Sequence, residues 1–222
     1  MMDFFVREAR QIMEQTPLSI VRYGTCGIVQ ASVDVGSVVV ASEGSVLVQR
    51  NPDAFLPPPS STDDPSSSSS SPPPPPLPYL IFKPQAADAD LSQALVQQLG
   101  RVLGATYPVH EGLNATCCSF YSSQGRQDPL FDDNNQSLLD QLRAEYPSVT
   151  SMEMETFQLF ALANSSKGTI RAAAASIGVA NRPTGKVCSE ADLEHLESVG
   201  GKAVLQALIS SSKNGSGNGG SK

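Results

Sequence analysis

Apolar residues recur at helical spacing over residues 3–15, where Phe5, Val6, Ala9, Ile12 and Met13 share a face. This pattern predicts an amphipathic helix that ends at or just before Pro17. Residues 18–23 are short and largely apolar, which predicts a strand. Gly24-Thr25-Cys26-Gly27 then predicts a sharp turn, because glycine permits positive φ. Val38-Val39-Val40 and Val46-Leu47-Val48 read as strand material after a turn at Gly36. Leu91, Leu95, Val96, Leu99, Val102 and Leu103 line one face of a helix over 91–103. Beyond it the pattern predicts a strand over 107–119, a polar loop over 120–133 and a helix over 136–145. A short strand over 149–152 leads into a helix over 157–165. Residues 170–180 are small and apolar, as a central strand can be, and a last helix runs over 189–211. Its start, Ser189-x-x-Asp192, resembles a capping box. Strands and helices alternate without an internal repeat, so the class is α/β, one domain spanning 2–211.

Two stretches stand outside this pattern. Residues 57–78 are almost all proline and serine and cannot bury a core, so they are expected to form a disordered insert, partly polyproline II. Pro72 to Pro78 match an SH3-type ligand in composition only. Residues 212–222 read as a flexible Gly/Ser tail. The net charge of −7 has no basic cluster to set against it, which argues against nucleic acid as a partner. No apolar run approaches a membrane span, and the first residues lack the pattern of a secretory signal. Cys26, Cys117, Cys118 and Cys188 have no metal spacing and read as free thiols of a reducing compartment. With two histidines, a His-rich metal site is not expected.

Four polar stretches fall at strand ends, where open α/β sheets place ligands. Arg22-Tyr23-Gly24-Thr25-Cys26-Gly27 offers a cation, a hydroxyl and accessible backbone N–H groups, a combination suited to phosphate. It lacks the full P-loop pattern and equally fits a structural glycine turn. Phe120 to Arg126 carries Gln124 and Arg126, whose donors and acceptor suit a planar base edge, beside the Phe120 ring. A solvated loop is the plain alternative. Glu153-Met154-Glu155 supplies carboxylates for sugar hydroxyls, or else a cap at the positive end of a helix dipole. Asn181-Arg182 closes the strand over 170–180, where Arg182 is either a ligand group or a surface charge.

Taken in this order, the stretches resemble the nucleoside phosphorylases of the uridine phosphorylase type, over roughly Met2 to Leu208 apart from the insert. The resemblance implies a central mixed β-sheet flanked by helices. It implies that Arg22 and Thr25, with Gly27 beside them, bind inorganic phosphate as co-substrate. Gln124, Arg126 and Phe120 would then form the uracil site, with Arg182 near the base. Met154 would floor the ribose, Glu155 would take its hydroxyls, and Glu153 is assigned to the same site less specifically. The reaction implied is reversible phosphorolysis of a pyrimidine nucleoside to free base and ribose 1-phosphate, with no metal or organic cofactor. The partners implied are a pyrimidine nucleoside and phosphate, in a cytoplasmic homodimer or larger homo-oligomer.

The chain departs from that family at its start. The family's domain begins earlier, with a first strand and a glycine-containing phosphate loop carrying an arginine, and with residues that complete a neighbour's site. Nothing here resembles that segment, so the domain is expected to be N-terminally incomplete, with an exposed sheet edge and a weakened phosphate site. Two other functions remain as expectations to compare: a non-catalytic nucleoside-binding relative, and a purine or thioadenosine phosphorylase or nucleosidase. Asn181-Arg182 in place of an acidic residue counts against the second.

Overall fold

The computed structural model describes residues 2–13, 16–56 and 74–215, the last four as backbone only. Its strands are β1 (Leu18–Ile28), β2 (Val38–Val40), β3 (Ser45–Arg50), β4 (Tyr79–Ile81), β5 (Val109–Glu111), β6 (Leu113–Cys117), β7 (Val149–Glu153) and β8 (Ile170–Asn181). The helices are α1 (Met2–Ile12), α2 (Ala89–Leu103), α3 (Leu138–Glu145), α4 (Thr156–Ser165) and α5 (Glu190–Gly215). The strands form one mixed sheet in the order β4-β3-β6-β7-β1-β8-β2-β5. Only Gly112 separates β5 at one edge from β6 near the other, so the sheet must curl back on itself. Gly112 suits that crossing: a Cβ there would collide with Thr150 Oγ1.

The middle of the sheet is the parallel pair β1–β8, in register from Leu18↔Ile170 to Ile28↔Asn181. The alanine run of β8 explains how helices pack on both of its faces. Ala173 and Ala175 point to a cluster with Leu91, Leu95 and Leu99 of α2 and Leu196 and Ala203 of α5. Ala172 and Ala174 point the other way, to Val6 of α1 and Leu159 and Phe160 of α4. Period-two alternation of small side chains lets both layers approach. A third cluster lies beneath β3, β6 and β7, where Val46, Val48, Ala115 and Met152 meet Leu138 and Leu142 of α3.

Several expected boundaries are corrected. The turn expected at residues 24–27 is not there; β1 runs straight through it, with one register shift between Cys26 and Gly27. Its glycines serve close approach instead of reversal, as the site shows below. Strand material over 37–48 divides into β2 and β3, turned at Gly44, whose φ is 96° and where an added Cβ would collide with Gln85 O. The strand over 107–119 divides likewise into β5 and β6. Strand β4 went unforeseen, being short and just beyond the proline run; it pairs with β3 through Arg50↔Tyr79. Asn51 donates to Leu77 O at 3.0 Å and to Pro78 O at 2.9 Å, which ties the end of that run to β3. The rest of the expected insert, residues 57–73, lies outside the described residues, as do 216–222 of the expected tail; α5 itself continues through Asn214 and Gly215.

Helix α1 also differs from its pattern. Val6 is buried, but Phe5 and Ile12 are 59% and 79% exposed, so the apolar face is not all inward. The capping expectation at α5 holds: the Asp192 N–H donates to Ser189 Oγ at 3.1 Å, and that hydroxyl donates to Asp192 Oδ2 at 2.6 Å. Among the described residues no helix is long and apolar enough to cross a membrane.

Candidate active site

Strands β1 and β7 pair at only two positions, Gly27↔Met152 and Ile28↔Ser151. Beyond Met152 they part, and a cavity of about 200 Å³ opens in the gap. All ten residues expected at the site line it: Arg22, Thr25 and Gly27 of β1, Phe120, Gln124 and Arg126 of the 120–126 loop, Glu153, Met154 and Glu155 at the β7–α4 junction, and Arg182 just past β8. Cys26, Met152, Val179 and Ala180 complete the lining. These four were not foreseen, being neutral residues between or beside the polar ones.

One end of the cavity is built on Arg22. Its Nε lies 3.1 Å from an oxygen of Glu153 and 3.1 Å from Oε2 of Glu155, and Nη2 donates to the same Glu155 oxygen. Nη1 donates to the Ser176 hydroxyl at 2.9 Å. Gly24 makes room for this fork, since a Cβ there would sit 3.2 Å from both Nη atoms. Thr25 is exposed beside it.

The two glutamates separate into distinct roles. Glu153 is 4% exposed, and both its oxygens are engaged. Oε1 accepts from Asn114 Nδ2 at 2.7 Å and Thr116 Oγ1 at 2.6 Å; Oε2 accepts from the backbone N–H of Glu155 at 2.9 Å and of Thr156 at 3.0 Å. Glu153 therefore caps the first turn of α4 and holds Arg22, and it has little capacity left for a ligand. Burial pushes its pKa up, but the Arg22 charge and the Thr116 and Asn114 hydrogen bonds outweigh this, and the net shift is downward. The Glu155 side chain is 45% exposed and faces the opening. Of the two acids of this stretch, Glu153 is the cap and Glu155 is the one open to the cavity.

The other end is cationic. Arg182 Nη2 donates to Gln124 Oε1 at 2.7 Å, which fixes that oxygen as the acceptor side of the amide and its nitrogen as the donor side. Gly27 seats that guanidinium; a Cβ would meet its Nε at 2.8 Å. The Arg182 backbone is fixed by its N–H bond to Ile28 O at 2.8 Å. Burial, then the neighbouring Arg126 charge, lowers the Arg182 pKa. Arg126 lies 4.0 Å over the centre of the Phe120 ring, so Phe120 supports the arginine as well as lining the cavity. The Nε–H groups of Arg126 and Arg182 are buried without a hydrogen-bond partner among the described residues. Cys26 stays neutral between the two ends, its pKa pushed up to about 12 by burial and by Glu153.

Polar residues behind the lining had a signal in the sequence that was passed over. Asn114 and Thr116 alternate with apolar residues inside the wholly buried strand β6. Asn114 also bonds Ser45 and Ser151, so a buried network ties β3, β6 and β7 beneath Glu153. Ser176 is the lone hydroxyl in the alanine-rich part of β8. Asn181, foreseen only as a neighbour of Arg182, is a brace: its amide donates to Gln30 O and Val33 O, and its oxygen accepts from Thr184 N–H.

The cavity thus has Arg22 and the Glu155 carboxylate at one end, Gln124, Arg126 and Arg182 at the other, and Met152, Val179 and Ala180 among its apolar lining. The chain belongs to the phosphorylase superfamily, whose family profile matches residues 1–209. It is similar to a solved structure from a study of two diverse uridine phosphorylases of the oomycete Phytophthora capsici, at 40% identity and a TM-score of 0.81. That match covers 94% of this chain and 71% of the oomycete one. A nucleoside phosphorylase of Trypanosoma brucei, described as showing uridine phosphorylase activity, shares the fold at 18% identity and a TM-score of 0.62, over 86% of this chain and 63% of that one. No curated protein sequence matches the chain.

Proposed function

We propose that the chain is a uridine phosphorylase-like pentosyltransferase, catalysing reversible phosphorolysis of a pyrimidine nucleoside. The observation that carries this reading is the Gln124–Arg126–Arg182 group facing Glu155 and Arg22 across one cavity. A pyrimidine dione presents carbonyl oxygens, and this end of the cavity presents donors. Among the described residues that line the cavity no acidic group stands at that end to protonate a purine ring nitrogen, which disfavours the purine reading.

In the mechanism, phosphate takes the Nη donors of Arg22 and the Thr25 hydroxyl. Arg22 is then drawn from Glu155, whose freed oxygens accept the ribose hydroxyls, so the two substrates assist each other's binding. Met154 floors the sugar. Phosphate attacks the anomeric carbon as the glycosidic bond breaks, through an oxocarbenium-like transition state. The bonding pair leaves on the base, and Gln124 and Arg126 stabilise that negative charge, with Arg182 holding Gln124 in orientation. Fixed placement of the two reactants supplies much of the remaining rate. The chemistry of these residues calls on inorganic phosphate as co-substrate and on no organic cofactor. The assembly proposed is a homodimer or larger homo-oligomer.

The test is loss of uridine absorbance with and without phosphate. The proposal predicts loss only with phosphate. Equal loss without phosphate indicates a nucleosidase, and binding of uridine without turnover indicates a non-catalytic relative.

A further inference from the structure

The base-facing residues sit on an irregular loop, and loops hold geometry poorly unless they are pinned. Inside the 119–126 segment, Ser119 and Ser123 bond reciprocally: each backbone N–H donates to the other's hydroxyl, at 2.7 Å and 3.0 Å. Three backbone bonds continue the closure: the Gln124 and Arg126 N–H groups donate to Tyr121 O and the Gly125 N–H to Ser122 O, each at 3.2 Å. The loop's far half, Gln124 to Arg126, turns through Gly125 at φ 68°.

The far half is also held from outside, by Asn135, which is 2% exposed and lies three residues before α3. One amide nitrogen, Nδ2, donates to Ser122 O at 2.8 Å and to Arg126 O at 3.0 Å. Those carbonyls bracket Gln124 and Gly125. The Asn135 oxygen accepts from Gln127 Nε2 at 2.7 Å, which fixes the amide's orientation. Asn135 is itself anchored, because its carbonyl accepts from the Leu138 N–H and Leu138 is buried under the sheet. Gly125 packs against the next residue of the same helix, with a Cβ there 2.8 Å from Leu139 Cγ.

We infer that Asn135 is a positioning residue for base recognition: its amide staples the Gln124–Arg126 turn to α3 and so sets where Gln124 and Arg126 meet the base. The inference rests on the reading of this cavity as a nucleoside site. At saturating uridine, phosphate binding should not depend on it, since Arg22 and Thr25 stand on β1, in the middle of the sheet.

The test compares Asn135→Asp and Asn135→Ala with the parent chain. The aspartate keeps the size and the acceptor but loses both donors. Both variants are expected to raise the KM for uridine about 10-fold or more, the scale of one lost or misplaced hydrogen bond to the base, with the KM for phosphate at saturating uridine within about twofold. Hydrogen–deuterium exchange should quicken over residues 119–128 and not over β1 or β8. Unchanged uridine KM in both variants overturns the inference. Equal rises in both KM values, with faster exchange throughout, overturn it too, because they show a general loss of stability. A parent chain that neither cleaves nor binds uridine overturns the reading of the cavity itself; faster exchange confined to 119–128 in the variants then still identifies the staple.

Discussion

Arg22→Ala should lower kcat/KM for phosphorolysis by about 10²–10³-fold, the usual cost of removing one preorganised charged donor. It should also destabilise the fold, which separates it from an ordinary substrate contact. Arg22 is the cation that faces the buried Glu153, and its other donors reach Glu155 and Ser176. Removing one partner of a buried pair leaves the other charge uncompensated, at a cost of roughly 3–5 kcal/mol. The Asn114 and Thr116 hydrogen bonds to Glu153 offset part of that. Steady-state kinetics and urea unfolding of the same sample measure the two effects. Full stability with lost activity would show that Glu153 does not depend on Arg22.

Glu153→Gln and Glu155→Gln should part company. Glu155→Gln changes a half-exposed acid at the cavity mouth, so it should depress turnover and leave the melting temperature near that of the parent. Glu153→Gln removes a buried charge that accepts from two side chains and two backbone N–H groups. Its amide would place a donor against donors, and a loss of several kcal/mol is expected, on the order of 3–5.

The Glu153 effect also has a sign in pH. The folded-state pKa lies below the ordinary 4.5. The unfolded chain therefore binds this proton more readily than the folded one. The stabilisation is fully present above about 4.5 and is lost as pH falls through the lower folded value. The parent should thus lose stability in acid below that point, and Glu153→Gln should have a flatter acid limb. Melting temperatures across that range would show it; parallel curves would remove Glu153 as the acid-sensitive group.

Much of the cavity lining was legible because it is local in sequence. The β7–α4 junction packs two acids and a methionine into three positions, and the 120–126 loop puts its glutamine and arginine two apart. What was not legible is which oxygen faces which donor. That depends on register: Thr116↔Glu153 and the near-parallel course of β6 and β7 bring Asn114 and Thr116 under Glu153, and no window of sequence contains that pairing. The glycines of β1 were misread for a related reason. Glycine in a strand and glycine in a turn look alike in sequence. Only the arginines that lie against them, Arg22 on Gly24 and Arg182 on Gly27, show which kind these are. The split at Gly112 escaped because curling of the sheet is a property of the whole order of strands. The fold class was legible because the alternation of elements survives such boundary errors.

Product identity tests the central claim most directly. Uridine and phosphate incubated with the purified chain should give, by ³¹P NMR, a ribose 1-phosphate signal that grows in step with released uracil while inorganic phosphate falls. Uracil appearing with free ribose, the phosphate signal unchanged, would contradict the account.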